Sequence, residues 1–154
     1  MSIHKDQLRA IIRKVLQNID QHTPATEELL LGAAAQESKL GAYLVQLGGG
    51  PARGIFQMEV ATEEDIWTNY LRYHSDVRDK LRSICGVVTP SEWSLTTNLA
   101  YQIAMCRFKY RMCPESIPSD LQGQAELWKL RYNTPRGAGT VDEYIANYNR
   151  YVRP

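Results

Sequence analysis

Apolar residues recur along most of the chain at spacings of three and four, the pattern of amphipathic α-helices with one buried face. The first stripe of this kind consists of Leu8, Ile11, Ile12, Val15, Leu16 and Ile19. A second helix is predicted to begin with Thr23 as N-cap and Pro24 at the first helical position, and to end near Gly41. Because this second helix is apolar on nearly all sides, we expect it to lie buried at the centre of the fold.

The same spacing predicts further helices in the rest of the chain. They begin near residues 62, 77, 90, 95, 120 and 141. The stretch 95–112 is long and carries few charges, which predicts a second buried helix. Capping boxes at 119–122 and 140–143 mark the starts of the last two helices.

Between the second and third helices, the segment 41–59 is rich in glycine and its apolar runs are short. Residues 43–45 and 55–56 are predicted to form two small strands around a glycine turn. The predicted fold class is therefore mainly α (α+β), with one small β-hairpin after the second helix. In an extended segment 54–59, Ile55, Gln57 and Glu59 point to one face, whereas Phe56 and Met58 point to the core.

One carboxylate interrupts the apolar surface of the second helix. Glu37 lies on the same stripe as Leu30, Ala33 and Ala34. Burial disfavours the charged form and raises the pKa of a carboxyl group, and the carbonyl groups at the end of the helix act in the same direction. A carboxyl group that keeps its proton near neutral pH can serve as a general acid. The alternative is that the side chain of Glu37 turns out to solvent at the helix end.

Length and composition limit the possibilities. A chain of 154 residues is most simply one domain over 1–154, and a formal charge of +1 gives no reason to expect nucleic acid as a partner. Three cysteines form neither a metal-ligand spacing nor a disulfide framework, and no metal or cofactor is expected. No apolar run could span a bilayer, and no signal peptide precedes the first helix. We therefore expect a monomer, made in the cytoplasm, with no membrane partner.

Two motifs around the glycine-rich segment resemble a known family. Glu37-Ser38, followed by Gly54–Gln57, resembles the Glu-Ser … Gly-Leu-Met-Gln pattern of soluble lytic transglycosylases and goose-type lysozymes. The resemblance implies a lysozyme-like fold and cleavage of the β-1,4 bond between N-acetylmuramic acid and N-acetylglucosamine in peptidoglycan. A small chain without a signal peptide resembles a phage endolysin or a virion-associated lysozyme, which acts on the cell wall after release or as part of a virion.

A third motif follows near the C-terminus. Tyr132-Asn133, with two glycines a few residues later, resembles the Ala-Tyr-Asn-Ala-Gly segment of the transglycosylases. The chain departs from that pattern because Arg131 replaces the alanine and Thr134–Arg136 precedes the glycines. Together, the three motifs cover most of residues 24–150.

The resemblance implies a role for each matched residue. Glu37 is the candidate acid. Glu59 either holds the attacking water as a second carboxylate or is a solvated residue at a strand end. Ser38 either bonds near the substrate or merely finishes the helix. The remaining predicted substrate-binding residues are Gln57 and Tyr132, which would bond acetamido groups or Glu37, and Asn133, which would mainly secure its loop.

Three functions stay open. The first is a glycosidase that cleaves peptidoglycan, either as a lysozyme with water as nucleophile or as a lytic transglycosylase in which the C6 hydroxyl of the sugar attacks. The second is a non-catalytic module that binds wall glycan or a protein partner. The third is an enzyme of the same fold that acts on chitin or chitosan.

Overall fold

The computed structural model describes residues 1–153, and this part of the chain is mainly helical, which confirms the helical part of the predicted fold class. The α-helices are α1 (Lys5–Asn18), α2 (Pro24–Ser38), α3 (Val60–Asn69), α4 (Ser75–Cys85), α5 (Glu92–Thr97), α6 (Leu99–Arg111), α7 (Leu121–Leu127) and α8 (Val141–Tyr151). A 3-10 turn covers Leu71–Tyr73, and a π-helical segment, Trp128–Asn133, continues α7. None of these helices is long and apolar enough to cross a membrane.

The core is built around α2, as its composition predicts. Leu29, Leu30 and Leu31 are fully buried, because α2 packs against α1, α6, α7 and α8. Helices α2 and α8 approach closely at Gly32, where an added Cβ would lie 2.1 Å from the hydroxyl oxygen of Tyr144. That hydroxyl donates a hydrogen bond to the carbonyl of Leu29 (3.0 Å). Glycine at position 32 therefore lets α8 sit directly on α2.

The predicted β-hairpin is wrong. Within residues 1–153, the segment after α2 contains only two isolated antiparallel bridges, Val45 with Arg53 and Arg53 with Met58, and no strand. The chain cannot run straight here because Gly54 (φ 76°) and Gln57 (φ 47°) both adopt left-handed backbone conformations. They form a tight turn that is closed by a hydrogen bond from the Gln57 amide to the Gly54 carbonyl (3.1 Å).

This turn also overturns the predicted alternation of side chains. Ile55, Phe56 and Met58 are all buried, with at most 3% of each exposed. The predicted strand alternation places Ile55 on the open face beside Gln57. A turn, unlike a strand, can direct neighbouring side chains to the same side, so three apolar residues enter the core and Gln57 stays outside it.

The predicted helix over 95–112 is divided in two. Asn98 has an extended backbone (φ −97°, ψ 98°) and ends α5, and its side chain caps α6 by accepting from the Tyr101 amide (3.2 Å). The end of α5 then lies against the turn described above, where a Cβ at Gly54 would be 2.4 Å from the Leu95 carbonyl oxygen. The break thus positions the turn beside α6.

Candidate active site

A cleft of about 660 Å³ lies between the end of α2, the loop that follows it and the π-helical segment. Its volume falls in the range of small-ligand sites. The predicted residues that line it are Glu37, Gln57, Glu59, Tyr132 and Asn133. Residues that are distant in the sequence therefore share one cleft, and only Ser38 of the predicted set is not among the lining residues.

Glu37 lies in the last turn of α2 and is partly buried in the wall of the cleft. Burial raises the pKa of its carboxyl group to about 7, while the nearby indole N–H of Trp128 acts in the opposite direction. The hydroxyl of Tyr43, which also lines the cleft, donates to the backbone carbonyl of Glu37 (2.8 Å) and fixes the end of the helix. The site thus offers a proton near neutral pH on a fixed element.

Ser38 does not reach the cleft, which corrects its predicted contact with substrate. Its side chain is fully buried, and its hydroxyl donates to the Ile55 carbonyl (2.7 Å) and accepts from the Gly41 amide (2.8 Å). It does more than finish α2, because these bonds attach the turn at 54–57 to the end of the helix.

Two other side chains hold the same turn. The side-chain oxygen of Gln102, on α6, accepts from the Ile55 amide (2.8 Å), and the Tyr132 hydroxyl donates to the Phe56 carbonyl (2.6 Å). Buried backbone groups need such partners, so the turn keeps its unusual conformation because these side chains satisfy it. The hydroxyl of Tyr132 therefore bonds the loop and not the Glu37 carboxyl.

Gln57 and Glu59 both line the cleft, but their side chains differ in hydrogen bonding. The side-chain nitrogen Nε2 of Gln57 donates to the Gly54 carbonyl (2.9 Å), which leaves the side-chain oxygen of Gln57 for a ligand. Glu59 is exposed and precedes the first residue of α3, but its carboxylate makes no capping hydrogen bond to that helix. Its carboxylate is therefore available to bind a water or a ligand at the edge of the cleft.

The loop that follows Tyr132 is fixed by a lysine that the sequence did not single out. The ammonium group of Lys129 donates to the side-chain oxygen of Asn133 (2.8 Å) and to the carbonyls of Gly137 (2.9 Å) and Gly139 (2.6 Å). Asn133 thus takes part in securing the loop. Arg131, the departure from the family pattern, turns away and pairs with Glu115.

Trp128 is the neighbour of Glu37 that sequence reasoning missed. It is fully buried, packs against Tyr144 with ring centroids 5.4 Å apart and ring planes inclined by 35°, and begins the π-helical segment. Its indole N–H lies close enough to the Glu37 carboxyl group to lower the pKa of that group, although it completes no hydrogen bond within residues 1–153. Gly139 makes room for the ring, since a Cβ there would lie 2.5 Å from it. In the sequence, this tryptophan is indistinguishable from an ordinary core residue of a helical stripe.

Replacing Trp128 by phenylalanine is expected to raise the pKa of Glu37 further, because the N–H that lowers it is removed. The measurement is a pH titration of the Glu37 carboxyl carbon by NMR. The matched control is Trp67→Phe, since the Trp67 N–H bonds the Tyr101 hydroxyl (2.9 Å) and not Glu37. A pKa that stays constant or falls in Trp128→Phe would contradict this assignment.

Within residues 1–153, no group of three or more His, Cys, Asp or Glu side chains could hold a metal ion. In comparisons with known proteins, no family model, no curated protein and no solved structure matches the chain.

Proposed function

We propose that the protein is a glycosidase with a lysozyme-like fold that cleaves the β-1,4 bond between N-acetylmuramic acid and N-acetylglucosamine in peptidoglycan, as phage endolysins do. The observation that carries the proposal is Glu37, a partly buried carboxyl group with a pKa raised to about 7, in the wall of a cleft large enough for sugar rings. Such a group can protonate the oxygen of the leaving sugar.

After the leaving sugar is protonated, a nucleophile must attack the oxocarbenium-like centre of the other sugar. Glu59 lines the same cleft with no capping bond, which supports a lysozyme in which it activates water. That mechanism requires carboxyl groups roughly 6.5–9.5 Å apart. In the other version, Glu37 performs both proton transfers and the C6 hydroxyl of the sugar attacks, which leaves a 1,6-anhydro end.

The test is digestion of purified cell-wall sacculi followed by mass spectrometry of the soluble fragments. Reducing ends indicate a lysozyme, and Glu59→Gln should then abolish their formation. Anhydro ends indicate a lytic transglycosylase, and Glu59→Gln should then leave the rate nearly unchanged. If sacculi bind the protein but release no fragments, the protein is a binding module and the proposal fails.

Lys109 is the cleft residue that could distinguish peptidoglycan from chitin as a substrate. It is partly buried, lines the cleft and forms no ion pair with a carboxylate of residues 1–153. The peptide stems of peptidoglycan carry carboxylates, whereas chitin oligomers carry none. We therefore propose that the Lys109 ammonium group contacts a stem carboxylate.

Replacing Lys109 by methionine is accordingly expected to raise KM about three- to fivefold for wall fragments with stem peptides, the size of a partly exposed ion pair. KM for chitin oligomers should not change. Lys14→Met, on the exposed side of α1, serves as the control. Equal effects on both substrates would exclude this contact.

A further inference from the structure

A second cavity, of about 220 Å³, lies between the start of α2, the last turns of α6 and the segment that follows α6. Its lining includes Thr23, Arg107, Arg111, Glu115 and Ser116. None of its lining residues lines the cleft around Glu37. Substitutions in this cavity can therefore test its function separately from the proposed glycosidase activity.

Arg107 and Arg111 lie one helical turn apart on α6, so their side chains share one face of the helix. Neither forms an ion pair with a carboxylate of residues 1–153, whereas four other arginines of the protein do. Burial and the positive charge of Arg111 both lower the pKa of Arg107. Two guanidinium groups beside one cavity thus repel each other, and no carboxylate of residues 1–153 pairs with either of them.

Arg107 also has an unsatisfied donor. Its Nε atom is buried and has no hydrogen-bond partner within residues 1–153. Buried donors of native proteins nearly always have an acceptor, so the unpaired Nε adds to the free-energy cost of burying the charge of Arg107. An anion in the cavity beside the two guanidinium groups would reduce the cost of this buried, unpaired positive charge.

The acid in the cavity wall does not supply that anion. Both carboxylate oxygens of Glu115 accept hydrogen bonds from Nε of Arg131 (2.9 and 3.0 Å), and the two side chains form an ion pair. Neutral donors are also present. Thr23 and Thr26 share one hydrogen bond between their hydroxyls (2.8 Å), which leaves one hydroxyl hydrogen over, and Ser116 adds a further hydroxyl. The wall is therefore positive and rich in donors.

We propose that this cavity, between Arg107 and Arg111, binds a phosphate group. A guanidinium group matches a phosphate oxygen pair with two parallel N–H bonds, and two such groups balance the double charge of a phosphate monoester. The tetrahedral oxyanion leaves further oxygens for the hydroxyls. The same chemistry serves inorganic phosphate, a small phosphomonoester or a single phosphodiester unit.

The test is isothermal titration calorimetry of the full chain with inorganic phosphate, with the ionic strength held constant by exchange against sodium chloride. We expect saturable binding of one phosphate per chain. In Arg107→Gln/Arg111→Gln, the affinity should fall at least about tenfold, because two charge-assisted contacts are lost. Amide shifts in the NMR spectrum at Thr23 and Ser116 should follow the same isotherm.

The matched control is Arg78→Gln/Arg82→Gln, an exposed pair with the same four-residue spacing on α4. This control should bind as the unmodified chain does. If the α6 double variant does not fold, Arg111→Gln alone carries the test, since Arg111 is exposed. Equal loss in the α4 and α6 variants, or a response that never saturates, would overturn the proposal.

Titration with glycerol 1-phosphate and with dimethyl phosphate identifies the source of the phosphate group. Tighter binding of the monoester than of inorganic phosphate indicates a small metabolite, and tighter binding of the diester indicates a polymer backbone. Either result supports the site. Cleavage of sacculi by the α6 double variant at the normal rate is expected, because the cavity and the cleft share no lining residue.

Discussion

Glu37→Gln is expected to abolish the release of wall fragments and, above pH 7, to make the folded protein more stable. Glutamine keeps the shape of the side chain but cannot deliver a proton. General acid catalysis contributes about 10²- to 10⁴-fold to a rate, so the loss should be at least of this order. The measurement is the rate of fragment release from purified sacculi near neutral pH.

The gain in stability follows from the pKa of Glu37, which burial raises from 4.5 to about 7. Below pH 4.5, the carboxyl group is protonated in both the folded and the unfolded chain, so its burial carries no penalty for ionisation. Between 4.5 and 7, only the unfolded chain loses the proton, so the free energy of unfolding falls as pH rises. Above pH 7 the full penalty remains, about 3 kcal/mol.

Urea unfolding of Glu37→Gln and of the unmodified chain at several pH values measures this difference. The two curves should converge below pH 4.5, where the carboxyl group is protonated in both states. Glu64→Gln, an exposed position on α3, is the control and should change neither property. A variant that cleaves sacculi at full rate would refute the role of Glu37, whereas equal stability at pH 8 would show that the carboxyl group is well solvated.

The second large effect is expected at Glu27, the centre of a charged cluster that joins α1 to α2. Glu27 is 3% exposed, and its carboxylate accepts from Nε of Arg13 (2.7 Å), from Arg9 (3.1 Å) and from the ring of His22 (3.0 Å). Burial alone would raise the pKa of Glu27, but the hydrogen bonds from Arg13, His22 and Arg9 lower it to about 2.

Glu27→Gln is therefore expected to lower the free energy of unfolding at neutral pH by about 3–5 kcal/mol, since it leaves two arginines around an uncharged group. In the unmodified chain, this stabilisation is present above 4.5 and is lost as pH falls from 4.5 towards 2, because the unfolded carboxylate takes up its proton first. Urea unfolding at neutral pH and at pH 3 measures both effects.

Asp20→Asn is the control for this second prediction. Asp20 pairs with Lys80 (2.8 Å), but 74% of the Asp20 side chain is exposed. An exposed pair of this kind contributes about 0–1 kcal/mol. If Glu27→Gln costs no more than Asp20→Asn, the cluster between α1 and α2 does not stabilise the fold as its geometry suggests.

The sequence predicted local features of the helices well. Thr23 caps α2 by accepting from the Thr26 amide (3.1 Å), and the capping box of Thr140 and Glu143 begins α8. These predictions succeed because a cap depends on residues within one turn of each other. The position of Glu37 on the apolar side of α2 follows from helical spacing alone, whereas the burial that raises its pKa depends on the segments that pack around the end of the helix.

The sequence could not predict the turn at 54–57. Its short apolar runs are typical of strands, but the left-handed backbone of Gln57 (φ 47°) requires partners from elsewhere in the chain. Those partners come from positions 38, 102 and 132, on three different elements. The role of Ser38 could not be predicted for the same reason, because its hydroxyl bonds the distant Ile55 carbonyl of this turn and not a substrate.

By itself, the sequence determined most of the helices, the caps of α2 and α8 and the carboxyl group that ends the central helix, because each is set by neighbours three or four residues away. Only the tertiary structure decided which groups meet. It placed the Trp128 indole beside Glu37, Lys129 under the loop after Asn133, and Arg107 beside Arg111 around a cavity whose acid, Glu115, pairs with Arg131 instead. The physical reason is that burial and the pairing of charges depend on segments far apart in the chain, which periodicity does not record.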